Sequence, residues 1–429
     1  MQKKKLLVML IAVMTMSFVA ASCGDDDEPS RTTNTQQGSN NGNNSGNNNG
    51  NNGGNTPNDS TSNSGNNDNG NPTNPVQDPE QSVRAYIGGD ISMLTKYEQQ
   101  RAAYADQNGN AISDVISFLK QQGWNTMRVR LFVDPSKSND KAVCQDLNYV
   151  VALGKRIKQA GLQLMLDLHY SDTWADPGKQ WTPAAWLQYN DTLLQTTVYE
   201  YTRECLQQLV AANATPDLIQ TGNEISYGML WGATGTQDNR CYTNSSAGNW
   251  ARFIALLKQA GKACREVCPQ AKIIIHSERV PRASVLCDFF DRMRTAQLDY
   301  DVIGLSYYPY FHGKLDVLDT ALKQLEAKNY GKQIQIVETG YPSQWAVEGS
   351  TIDCTDVYPY TEQGQLKFTN ELIALLKQHP QVNGISWWYA EANAKGCNGN
   401  LATGWYNAGL FNNNNGRALP ALYALKNLQ

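Results

Sequence analysis

Two glutamates sit where chemistry could be done. Glu224 closes Thr221-Gly222-Asn223-Glu224 and Glu338 closes the apolar run Ile336-Val337-Glu338, followed by Thr339. A neutral acid and an ionised carboxylate flanking one sugar ring can break a glycosidic bond: the acid protonates the departing oxygen while the carboxylate attacks the anomeric carbon. On this reading Glu224 is the acid/base and Glu338 the nucleophile. Their mutual electrostatics should raise the pKa of Glu224 and leave Glu338 charged, with Tyr307 or Arg130 as hydrogen-bond donors to the nucleophile. A separation of about 5 to 5.5 Å would make the mechanism retaining.

That chemistry requires elements that bring the two side chains together. Apolar, β-rich runs are predicted as strands at Arg84–Gly88, Thr126–Val133, Leu164–Tyr170, Leu218–Glu224, Lys272–Glu278, Val302–Pro309, Ile334–Tyr341 and Gly384–Trp388. Helical periodicity between them predicts helices at Ile112–Gln121, Leu147–Gln159, Val198–Leu209, Trp250–Val267, Leu315–Lys328 and Gln363–Lys377. This alternation predicts an α/β fold, a (β/α)8 TIM barrel, in one catalytic domain over residues 83–429. Glu224 and Glu338 then end the fourth and seventh strands, on opposite sides of one mouth. A doubly wound sheet would carry a Gly-rich phosphate turn after its first strand, and Gly88-Gly89 is too little for one.

Other polar residues gather at the same strand ends. They are Asp90, Arg128 and Arg130, Asp167 and His169, Asn223, His276 and Glu278, Tyr307 and Tyr308 with His312 just beyond, and Trp387 and Trp388. The set takes in three of the four histidines. Arg128 with Arg130, and Asp167 with His169, share a face because strand side chains repeat every two residues. An ion network plugging the barrel would explain any one of them; so many buried charges together suit a functional mouth. Trp174, Trp181, Trp186, Trp345, Trp388 and Trp405 fall in or next to loops expected to rim that mouth, where apolar sugar faces could stack. Trp124 and Trp250 read as core.

The first 82 residues are a different kind of sequence. Lys3, Lys4 and Lys5 precede an apolar run and the small residues Ala20, Ala21 and Ser22, a pattern expected for an export signal over residues 1–22. Cys23 directly after it resembles a lipoprotein processing site, with lipidated Cys23 as the mature N-terminus. The acidic run from Asp25 to Glu28 resembles surface-export tags of some Gram-negative lipoproteins, which would place the protein on the outer membrane. Residues 23–82, acidic and then Asn/Gly/Ser-rich, cannot bury enough apolar area to order themselves and are expected to be a flexible tether. Removing residues 1–22 takes away three lysines and no acid, so the formal charge moves from −4 to −7. No basic patch favours nucleic acid, and a monomer is expected. Of the eight cysteines beyond Cys23, Cys354 and Cys397 are the disulfide candidates, both lying in late polar loops.

Several long strings resemble glycoside hydrolase family 53, the endo-β-1,4-galactanases acting on arabinogalactan side chains of pectin. They are Gly89-Asp90-Ile91-Ser92-Met93-Leu94, Arg128-Val129-Arg130-Leu131-Phe132, and Asp167-Leu168-His169-Tyr170-Ser171-Asp172-Thr173-Trp174-Ala175-Asp176-Pro177-Gly178. Gln220-Thr221-Gly222-Asn223-Glu224-Ile225-Ser226-Tyr227-Gly228, Ser306-Tyr307-Tyr308-Pro309 and Val337-Glu338-Thr339 continue it. The resemblance implies β-1,4-galactan as polysaccharide substrate, endo cleavage and net retention, with no cofactor required. It implies Asn223 on the 2-hydroxyl of the sugar at the cleavage point, and Asp90, His169, Asp172, Trp174, His312 and Trp388 lining the cleft. Many family members resemble Pro-Phe-Trp-His-Gly where this chain reads Pro309-Tyr310-Phe311-His312-Gly313, so one stacking surface differs. Bacterial members can hold a structural calcium in late loops, and here only Asp353 and Asp356 are scattered candidates. A mannanase or glucanase of the same clan, or a surface glycan-binding lipoprotein, would share part of this pattern.

Overall fold

The computed structural model describes residues 85–397, 401 and 403–429. The expected signal segment, Cys23 and the tether lie outside the described residues.

Eight parallel strands close in chain order into a barrel. They are β1 (Tyr86–Asp90), β2 (Thr126–Leu131), β3 (Gln163–Leu168), β4 (Leu218–Thr221), β5 (Lys272–Ser277), β6 (Val302–Tyr307), β7 (Gln333–Thr339) and β8 (Val382–Trp387). β8 pairs back onto β1, with Tyr86 opposite Gly384. Helices α1 (Leu94–Gln99) and α2 (Val115–Gln121) follow β1, and α3 (Leu147–Gln159), α4 (Asp191–Ala211), α5 (Ser246–Val267) and α6 (Ala283–Thr295) follow β2 to β5. Then come α7 (Pro309–His312) and α8 (Leu315–Lys328) after β6, α9 (Glu362–Leu376) after β7 and α10 (Pro420–Ala424) after β8. Every predicted strand and helix has its counterpart. α4 starts earlier than its apolar periodicity suggested because the Asn190 side chain accepts from the Leu193 N–H at 2.9 Å and caps a longer helix. α1, α6, α7 and α10 have no counterpart among the predicted helices.

Strand parity divides the core in two. Outward residues such as Ile219, Ile273, Ile275, Ile303 and Leu305 pack under the helices. Inward residues Met165, Leu218, Ile274, Val302 and Val337 form a separate apolar plug in the lower barrel, with Tyr86 against it. Two positions further along the same strands, the inward face turns polar: Asp167 above Met165, Gln220 above Leu218, His276 above Ile274. The plug is therefore the floor of the polar mouth.

Glycines make room for this floor. A Cβ on Gly304 would lie 2.6 Å from Ile274 Cγ2, and one on Gly88 would lie 1.6 Å from the Thr126 carbonyl oxygen. The second clash is with backbone, which cannot swing away. Gly88→Ala should therefore destabilise the barrel by about 1–3 kcal/mol or more, read as a lowered thermal midpoint; an unchanged midpoint would contradict this packing.

Candidate active site

Arg128 is the hub of the mouth. Fully buried on β2, it places Nη1 3.1 Å from Asp90 Oδ2, and Nη2 2.8 Å from both Asp167 Oδ2 and Glu338 Oε1. Nη2 also donates to Asn223 Oδ1 at 3.0 Å. Burial disfavours the charged guanidinium, but Asp167, Glu338 and Asp90 outweigh it and hold the cation firmly. Burial likewise opposes ionisation of Asp167, yet Arg128 and His169 bring its pKa to about 2.

Glu338 owes its aim to a β-bulge. Along β6, Leu305 pairs with Ile336 while the next residue, Ser306, pairs with Glu338, so Val337 is an extra residue in β7. Val337 and Glu338 consequently both face inward, the first into the plug and the second onto Arg128. Tyr308 Oη donates to Glu338 Oε2 at 3.0 Å. This corrects the expected donors. Tyr307 faces the helix layer, stacks on Phe368 and donates to the Gly313 carbonyl at 2.9 Å. Arg130 stands one pleat higher than Arg128 and pairs with Asp90 Oδ1 at 2.6 Å. β6 ends at Tyr307, and the turn into α7 swings Tyr308 inward instead.

Glu224 is not on a strand. β4 stops at Thr221, and the chain turns through Gly222 at φ +103° and Glu224 at φ +47°. A non-glycine residue in the left-handed region is strained by roughly 1–2 kcal/mol, and hydrogen bonds hold it there. The Glu224 N–H donates to His276 Nδ1 at 3.2 Å and the Ile225 N–H to the His276 carbonyl at 3.1 Å. Because Nδ1 accepts, Nε2 carries the ring proton and donates to Ser306 Oγ at 2.9 Å; Ser306 then donates to Glu224 Oε1 at 2.6 Å. Burial, then Arg128, keeps His276 neutral. The Glu224 carboxyl is partly open to the cleft.

The two glutamates differ in environment. Burial first, then the charges of Glu338 and Glu278, push Glu224 well above the ordinary carboxyl range against the Ser306 hydrogen bond. Burial, with help from Asp167 and Asp90, pushes Glu338 up to about 7, while Arg128 and Tyr308 pull it back. Glu338 therefore ionises first.

The other predicted residues fall into distinct places. His169 accepts from the Ala175 N–H at Nδ1 (3.1 Å), leaving Nε2 to face Asp167 Oδ2 at 3.1 Å. Asp172 staples two loops, accepting from the N–H groups of Asp134 at 3.1 Å and Ala184 at 2.8 Å. Asn223 Nδ2 donates to the Ala175 carbonyl at 2.8 Å. His312, its pKa lowered to about 4 by burial, accepts from the Tyr308 N–H at 3.2 Å. Trp174, Trp388 and Trp405 line one wall, with ring centroids 6.1 Å and then 6.3 Å apart; Phe311 lies 6.0 Å from Trp405. Trp345 is 52% exposed on the loop after β7. Trp186 is corrected from rim to core: it is buried 5.4 Å from Tyr201 on α4. Trp124 and Trp250 are core.

Sequence reasoning gave Ser306 and Gln220 no role of their own. Parity was the available signal, since each lies two positions beyond an inward residue: Ser306 beyond Gly304 and Gln220 beyond Leu218. Gln220 Nε2 lies 2.6 Å from Asp167 Oδ1 and 3.0 Å from His276 Nδ1, linking both halves of the mouth. Glu391, also missed, is buried on the chain leaving β8 and accepts from the Met93 N–H at 2.7 Å.

The disulfide expectation in the late loops is corrected. Cys354 and Cys397 are both free thiols, and Cys397 Sγ donates to the Asn393 carbonyl at 3.4 Å. Asp356 is paired with Lys314 Nζ at 2.7 Å and Asp353 caps the Thr355 N–H at 2.8 Å. A calcium cage needs six to eight oxygens; among the described residues no group of three or more acidic, histidine or cysteine side chains could hold a metal. These residues do not fit that ion.

A model of glycosyl hydrolase family 53 matches residues 86–425. An arabinogalactan endo-β-1,4-galactanase of Cellvibrio japonicus is 31% identical over 358 residues, covering 80% of this chain and 90% of the relative. A probable arabinogalactan endo-β-1,4-galactanase A of Neosartorya fischeri is 32% identical, covering 75% and 89%. Among solved structures, the GH53 catalytic domain of Ignisphaera aggregans superposes with a TM-score of 0.70 at 33% identity, covering 81% of this chain and 97% of that one.

Glu391 offers a test of these electrostatics. Burial first, then Asp90, raises it from 4.5 to about 8, although Arg130 opposes. The folded state therefore keeps a proton that the unfolded chain loses above pH 4.5, and stability falls between about pH 4.5 and pH 8. Glu391→Gln should raise the melting temperature by a few degrees at pH 8 and leave it nearly unchanged at pH 4. Equal shifts at both pH values would refute a buried neutral acid.

Proposed function

We propose, for a chain that belongs to glycosyl hydrolase family 53 and is thus an endo-acting glycoside hydrolase, that it cuts β-1,4-galactan side chains of pectic arabinogalactan with net retention. The observation that carries this reading is the asymmetry of the two carboxyls. Glu224 is the acid/base, protonated and hydrogen-bonded by Ser306; Glu338 is the nucleophile, ion-paired by Arg128 and hydrogen-bonded by Tyr308. In the first step Glu338 forms a bond to the anomeric carbon as the glycosidic bond breaks, and the Glu224 proton passes to the departing oxygen. In the second, Glu224 takes a proton from water, the water oxygen attacks the anomeric carbon, and Glu338 leaves. Galactan as substrate is supported by the names of the Cellvibrio and Neosartorya relatives. Asn223, fixed by Arg128 and the Ala175 carbonyl, suits the 2-hydroxyl of the sugar being cleaved.

The reading extends to the N-terminus, where Lys3 to Ser22 and then Cys23 support export and lipid anchoring at the outer membrane. Palmitate labelling lost in Cys23→Ser, with protease shaving of intact cells, tests it; retained labelling would remove the anchor.

Reducing ends released from galactan, mannan and cellulose should show galactan strongly preferred, and the anomer first formed should be β. Glu338→Ala should abolish turnover. Glu224→Ala should keep partial activity on substrates with good leaving groups. The pair should titrate as a bell: activity fails as pH drops through the Glu338 pKa near 7, because the nucleophile gains a proton, and again at higher pH as Glu224 loses its own. Full activity of Glu338→Ala would overturn the assignment.

A further inference from the structure

Arg130 is fully buried, yet only one of its three nitrogens meets a carboxylate: Nη1 lies 2.6 Å from Asp90 Oδ1. Nε and Nη2 are shut away from solvent with no hydrogen-bond acceptor among the described residues. Aromatic faces surround them instead. The guanidinium carbon lies 4.9 Å from the Trp174 ring, 4.8 Å from Trp388 and 5.0 Å from Tyr389. A desolvated cation over such faces is held by the negative faces of the ring quadrupoles, which offsets two N–H groups that lack acceptors among the described residues.

These rings come from separate parts of the barrel. Trp174 follows β3, whereas Trp388 and Tyr389 leave β8, and β1 and β2 lie between those strands. Trp174 has one anchor of its own, donating from Nε1 to Asp140 Oδ2 at 2.8 Å. Trp388 has none among the described residues: its Nε1 is buried without an acceptor there, so no hydrogen bond to them sets its plane.

We propose that Arg130 is a positioning residue whose guanidinium orients Trp174 and Trp388 into a single sugar-stacking platform, and that it makes no sugar contact itself. This rests on the reading of the mouth as a polysaccharide site. The planar guanidinium is essential to the role. A lysine would keep the charge and the reach toward Asp90, but its compact ammonium cannot face three rings at once.

The test uses Arg130→Lys and Asp140→Ala in the full chain. The first removes the shared cation plane; the second, at an exposed position, frees Trp174 Nε1 and also the Ala142 N–H, which Asp140 Oδ1 accepts at 2.9 Å, but leaves Arg130 and Trp388 in place. Near-UV circular dichroism, which reports the close indole pair without any substrate, should change in Arg130→Lys. Its KM on galactan should rise about tenfold with kcat within about threefold, and the acid limb of the pH profile should stay in place because Arg128 still holds Glu338. Asp140→Ala should raise KM less, in the same sense, with unchanged melting temperature. Unaltered dichroism and KM in Arg130→Lys would overturn the proposal, as would a displaced acid limb, which would mean that Arg130 acts through Asp90 on Glu338. If Arg130→Lys does not fold, Asp140→Ala decides: an unchanged KM sinks the platform. A wild-type protein inactive on galactan would refute the substrate reading and leave the dichroism to judge this one.

Discussion

One guanidinium shared among three carboxylates organises the upper barrel. Removing Arg128 and its partners from water costs several kcal/mol per ion, and their attraction offsets this only if every group is held in place. That constraint reaches outward through the fold. It requires Asp90 at the end of β1, Asp167 on β3 and Glu338 on β7 at a common height. It also requires Gln220 to donate to Asp167, His169 to face the same carboxylate, and Asn223 Oδ1 to accept from Arg128. The apolar plug beneath keeps the dielectric low, so each contact is stronger than it would be in water.

The same arrangement separates two chemically identical side chains. Glu338 sits against a cation and a phenol; Glu224 has a single serine hydroxyl and looks across at other acids. Only environment distinguishes them, as is usual where one carboxyl must give a proton and another must stay charged. The strained backbone at Glu224 belongs to this division, since the turn lifts its carboxyl off the strand and out toward the cleft.

Much of this was legible in the residues. Alternating β-rich runs and amphipathic helices predict the barrel, and the boundaries of α3 and α8 match the periodicity residue for residue. Glu224, Glu338, Asp90, His169, Asn223 and His276 were singled out by position, and all lie at the mouth. What escaped was phase. A bulge in β7 and a turn after β6 reset the two-residue repeat, so Tyr308 takes the place expected for Tyr307; Arg128 and Arg130 share a face, and only their height along β2 decides which of them meets Glu338. Nothing local in the sequence marks where a ladder slips, because the slip arises from pairing with neighbouring strands. The late loops were illegible for a similar reason: polar composition does not say whether Asp356 will meet a metal ion or the Lys314 ammonium.

The extra residue in β7 also shapes the interior in another way. An unbroken strand turns only alternate side chains into the lumen, so hydrocarbon and charge would be two residues apart. Here successive residues look inward, Val337 in oil and Glu338 in an ionic lattice, and the boundary between the two media is one peptide thick, about 3.3 Å. Neither step of register is open to this stave: a shift of one would carry the carboxylate into the oil, and a shift of two would carry it to the outward place of Ile336.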